Sequence, residues 1–163
     1  MFDLPTFTLV HVVASVFGIV AGLVAVGGLL AGTSFRTWTA LFLGTTVFTS
    51  VSGFGFPSTG AVSPAQVTGV ISLVVLAVCL VAHYGRRTTG RWQSTYVVTA
   101  VAALYLNVFV LVVQLFAKTP ALAQLAPTQR EAPFALTQAL VLLTFVWIGW
   151  SAVRSTRGSR AFA

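Results

Sequence analysis

Residues 99–138 read TAVAALYLNVFVLVVQLFAKTPALAQLAPTQREAPFALTQ. An apolar run carrying Asn107 and Gln114 leads into a Pro-rich connection that holds the densest polar run of the chain, Thr128, Gln129, Arg130 and Glu131. A second apolar run follows, opening with Thr137 and Gln138. About 20 consecutive apolar residues, wound as a helix, cross the roughly 30 Å of hydrocarbon in a bilayer. The stretch therefore reads as two membrane helices joined by a polar cap, in which Leu122 and Leu125 predict a short interfacial helix.

Working outward, the same signal recurs. Of 163 residues, 57% are hydrophobic and 7% are charged, against roughly 25% charged in soluble domains. Mean hydropathy is +0.96. The expected fold is an all-α integral membrane protein, one domain over residues 1–163, with five transmembrane helices over residues 7–32, 37–56, 64–84, 92–117 and 133–153. The first run is preceded by Asp3 and by no Lys or Arg, so it reads as a retained helix and not as a cleaved signal. The Gly53 to Pro57 run ends the second helix, and Ser63 with Pro64 starts the third as N-cap and first helical residue.

The net charge of +7 lies in short connections. That is a topogenic pattern and not a nucleic-acid face. Five spans place Arg36, Arg86, Arg87, Arg91, Arg154, Arg157 and Arg160 on one side, with Lys118 and Arg130 on the other beside Asp3 and Glu131. The positive-inside rule then predicts an external N-terminus and a cytoplasmic C-terminus. Trp38, Trp92, Trp147 and Trp150 fall at the basic side, as interfacial anchors do.

Composition excludes several chemistries. Cys79 is the only cysteine, so disulfide exchange, a quinone-reducing CxxC pair and a thiolate metal cluster have no material. His11 and His83 sit near opposite ends of their spans, roughly 20 to 25 Å apart by helix rise, too far for one haem. With Asp3 and Glu131 as the only acids, no carboxylate metal site or intramembrane carboxylate proton carrier can be assembled, which leaves His11 as the protonatable group of the span interior. No catalytic residues, cofactor or enzymatic activity are expected.

What remains is a layer of polar side chains. His11, Ser52 or Thr49, Thr68, Gln114 and Thr137 or Gln138 each lie about three to seven residues below one boundary, hence within roughly 5 to 10 Å of it. Intramembrane polar residues are costly and mark function by default. The candidate binding residues are therefore His11, Asn107, Gln114, Gln129, Arg130, Glu131 and Gln138, with the 128–131 cap expected above an outward-facing pocket. Asn107, near a span's middle, is expected to face a polar partner. The alternative is that these groups only fix helix register through interhelical hydrogen bonds.

Two roles are expected: a channel, carrier or binding protein for a small solute or ion, or a non-catalytic accessory subunit of a larger membrane complex. The partners are the lipid bilayer and, through the small-residue face of Ala14, Gly18 and Gly22, other membrane subunits or a second copy.

Trp38 to Phe42, Gly53 to Pro57, Leu104 to Val108 and Ala126 to Gln129 together resemble a group of small, uncharacterised bacterial inner-membrane proteins. The resemblance implies a multi-pass location in a bacterial inner membrane and carries no activity or functional residues with it.

Overall fold

The computed structural model describes residues 4–56, 64–85 and 90–158. Asp3, Pro57, Ser63, Arg86, Arg87 and Arg160, on which some of the expectations above fall, lie outside the described residues. The elements are α1 (Leu4–Leu30), α2 (Arg36–Ser52), α3 (Pro64–Leu80), α4 (Gly90–Lys118), α5 (Pro120–Leu125) and α6 (Ala132–Gly158). A 3₁₀ turn, Gly53–Gly55, extends α2, and a π turn, Val81–Gly85, extends α3. No strand occurs among the described residues.

Four helical segments are long and apolar enough to cross a membrane: Leu4–Leu30, Gln66–Gly85, Gly90–Lys118 and Ala132–Arg157. The Thr-rich α2, with 17 residues, is shorter. At about 1.5 Å per residue it rises roughly 25 Å, and the 3₁₀ turn adds roughly 6 Å. Two of its hydroxyls turn back on the helix: Thr45 Oγ1 donates to Leu41 O at 2.7 Å and Thr49 Oγ1 to Thr46 O at 3.2 Å. Such bonds satisfy these two hydroxyls without a partner from another helix.

Packing is uneven along the bundle. We call upper the end at which α1 begins and α4 finishes. The core occupies the lower half, where Ala21, Val26 and Leu29 of α1 meet Phe42 and Leu43 of α2, Leu76 of α3 and Tyr96, Val97, Ala100 and Leu104 of α4. Glycines make that approach. A Cβ placed on Gly22 would lie 2.6 Å from Leu104 Cδ1 and 2.8 Å from Phe42 Cδ2, and one on Gly18 would lie 2.9 Å from Thr45 Oγ1. Two of the three small residues of α1 expected at an association face pack within the chain. Gly18 and Gly22 are buried there and Ala14 is partly exposed.

Higher in α1 the residues at the corresponding turns are larger, and Val12 and Val16 are 46% and 50% exposed. The helices are not closed over one another at this end. From α6, Phe145 and Ala152 join the core against α4, while Leu136, Leu140, Leu143 and Val146 turn outward, an apolar face suited to lipid.

Candidate binding site

The upper half of the bundle contains a cavity of about 630 Å³ between α1, α2, α3 and α4. Its size falls in the roughly 300 to 1,000 Å³ range of small-molecule pockets. Each wall comes from one helical stripe. Thr8, His11, Val12, Ser15, Val16 and Ile19 supply α1's share, three and four residues apart, and Leu106, Asn107, Val110, Leu111, Gln114, Leu115 and Lys118 supply α4's. Thr49 and Ser50, with Gly53, Phe54 and Phe56 beyond, close the α2 side, while Gln66, Thr68, Gly69 and Ser72 close the α3 side.

His11 is fixed from two directions. Its Nδ1 is 2.9 Å from Ser52 Oγ, and the Phe56 ring meets the imidazole edge-on with centroids 5.1 Å apart. Phe7 packs on Phe56 in turn, at 5.0 Å. The Gly53–Gly55 turn is what brings Phe56 there, and a Cβ on Gly55 would approach Phe7 Cζ to 3.0 Å. One turn further along α1, Ser15 Oγ donates to His11 O at 2.8 Å.

Asn107 stands at the cavity floor and donates from Nδ2 to Thr46 Oγ1 at 3.0 Å. The partner expected for a mid-span amide is a hydroxyl of α2. Gln114, two turns nearer the upper rim, lines the cavity and makes no side-chain hydrogen bond among the described residues. Lys118 and Thr119 complete the rim.

The remaining candidates stand elsewhere. Gln129, with a left-handed φ of 57°, donates from Nε2 to Val113 O at 2.9 Å. Gln138 Nε2 donates to Phe109 O at 3.3 Å, and its Oε1 is buried without a partner among the described residues. Both amides reach the face of α4 that looks toward α6. Ala126 is buried there against Val112 and Phe116, with Leu122 and Phe134 packed on the same cluster. The cap was expected over the pocket. It sits instead beside it, because its apolar residues are drawn to the α4–α6 surface.

Glu131 organises that cap. Its Oε1 accepts from the Thr128 hydroxyl at 2.8 Å and the Thr128 amide at 3.2 Å, and its Oε2 accepts from the Arg130 amide at 3.0 Å. Desolvation works upward on the Glu131 carboxyl, and the hydrogen bonds from Thr128 and Arg130 outweigh it, holding it below the usual carboxylate range. Arg130 itself is exposed and, like Glu131, does not line the cavity.

Of the expected layer, the structure brings together His11, Thr49, Thr68 and Gln114, and adds Asn107 below them. It leaves out Gln129, Arg130, Glu131, Thr137 and Gln138. The layer reading passed over Gln66, Ser72 and Lys118. The signal for two of them was a four-residue spacing, Thr68 to Ser72 and Gln114 to Lys118, which puts each pair on one helical face.

Among the described residues no three His, Cys, Asp or Glu side chains come together as a metal site would require. The arrangement suits reversible binding of a molecule by amide and hydroxyl groups in a partly apolar chamber. What fold and site define is the class: an all-helical membrane protein with a cavity of about 630 Å³ in one half of its bundle. No family model matches the chain, and neither a curated protein nor a solved structure is detectably similar to it.

Proposed function

We propose that this is a five-span protein of a bacterial inner membrane, upper end outside and C-terminus cytoplasmic, whose cavity binds a small molecule from the outer side without chemically altering it. The observation that carries the reading is the cavity itself, lined by His11, Asn107 and Gln114 at the sparsely packed end of the bundle. The chain acts as a binding protein, carrier or channel.

Charge supports the orientation. Arg36, Arg91, Arg154 and Arg157 occupy the lower end, where Arg154 stacks on the Trp150 ring at 3.8 Å, an interfacial arrangement. Among the described residues, Lys118 and Arg130 are the cations of the upper end. Counting α2 as the fifth span rests on its 3₁₀ extension and on Arg36 at its start.

One feature favours the rival role of accessory subunit: a groove of about 260 Å³ between α4 and α6, lined by Val98, Tyr105, Leu142, Val146 and Trp150 among others. It is apolar, as a lipid chain or a partner helix would require.

Extraction of small molecules that co-purify with the protein separates the two. Wild-type protein should carry a compound, seen by mass spectrometry, that a folded Ser15→Phe variant with an obstructed cavity lacks. Equal extracts from both would overturn the binding reading.

A further inference from the structure

The cavity has a cation at its rim and, among the described residues, no acid in its wall. Lys118 is the chain's only lysine, and Gln114 stands one helical turn below it on the same face. Deeper, the polar groups are already engaged within the protein. Ser15 donates to His11 O, Thr49 to Thr46 O and Asn107 to Thr46 Oγ1. Ser50 and Ser72 are the exceptions, each offering one hydroxyl.

Between rim and floor run the apolar side chains of Val12, Val16, Ile19, Leu111 and Leu115. Val12, Val16 and Leu115 line the cavity yet remain 46%, 50% and 45% exposed, so it is open along its side as well as at its mouth. From Asn107 to Lys118 the chamber extends about 16 Å at the helical rise. A long, apolar, laterally open chamber under a lone cation fits a chain with a charged head better than a compact hydrophilic solute.

We infer that the cavity takes a single-chain amphiphile with an anionic head group, a long-chain carboxylate being the simplest, with its head at Lys118 and Gln114 and its chain between α1 and α4. This rests on the binding reading above and names the class of molecule bound. No covalent step is involved.

The test uses the full chain in zwitterionic nanodiscs with a diazirine-bearing palmitic acid as photoprobe. Crosslinks should map to α1 and the upper part of α4. Oleate should displace the probe about tenfold better than oleyl alcohol, the scale of one charge-assisted hydrogen bond. Lys118→Gln should erase that preference, and Lys118→Arg should keep it. Equal displacement by the alcohol, or labelling confined to the outward face of α6, would overturn the inference. A Gln114→Cys thiol that reacts from the aqueous side alongside equal displacement would sink the amphiphile alone; an unreactive thiol would sink the pocket with it.

Discussion

Asn107 of α4 and Thr46 of α2 are joined by a 3.0 Å hydrogen bond at the base of the upper cavity. Thr46 is 1% exposed, while Asn107 reaches it from a partly exposed position on the cavity floor. The bond sets how closely α2 and α4 approach just where the packed half of the bundle gives way to the open half. A double-mutant cycle with Asn107→Leu and Thr46→Val should return a coupling of about 0.6 kcal/mol, with about 1.7 kcal/mol as an upper bound. Thermal unfolding in detergent measures it, and strictly additive losses would remove the bond from the account.

The close approach of α1 predicts opposite behaviour for two glycines on one helix. Gly22→Ala drives a methyl into Leu104 and Phe42, both fully buried, and should cost about 1 to 3 kcal/mol. At Gly27 a Cβ meets nothing within 4 Å, and Gly27→Ala should be neutral or stabilising by up to about 1 kcal/mol. Equal melting shifts for the two would contradict the packing described.

Glu131 gives the 128–131 turn a pH dependence. Its folded pKa is depressed, so the stability that it contributes is present above the unfolded carboxylate value and is lost as pH falls through the folded one. Protection of the Thr128 and Arg130 amides, corrected for intrinsic exchange, should therefore fall on acidification below about pH 4. Glu131→Gln should show the loosened turn at neutral pH. An unchanged pattern would mean that the backbone holds the turn unaided.

Orientation is checked by single cysteines in a Cys79→Ser background. A cysteine at exposed Gln124 of α5 should react with an impermeant thiol reagent in intact cells, and one at exposed Thr37 of α2 should react only after lysis. The reverse pattern would invert the protein in the membrane.

The helices were legible because run length alone reports them. The first, third, fourth and last apolar runs correspond to helices long enough to cross a membrane, and Leu122 with Leu125 correctly signalled the short α5. The shorter α2 gives way at Ser52 to the Gly53–Gly55 turn, where the glycines of that motif begin, though its 17 residues leave it just under the length of the others. The position of the cap was not legible. Both faces of α4 are largely apolar, so the pattern does not say which one α5 will cover. Long polar side chains misled in the same way, because the amides of Gln129 and Gln138 can reach a backbone carbonyl as readily as a pocket. Height along the bundle was readable by counting residues, whereas direction around the helix required neighbours that only the folded chain supplies.

The account stands on a water-accessible chamber that opens to the outer face, and one comparison probes it. In the Cys79→Ser background, cysteines are placed at Gln114, which lines the cavity, and at Leu136, about equally deep on α6 but 70% exposed on the outward face. A charged, impermeant methanethiosulfonate applied to intact cells should modify the thiol at position 114 and spare that at 136, since the thiolate forms in water and not in hydrocarbon. Modification at 136 with none at 114, or reaction at neither, would contradict an outward-opening cavity.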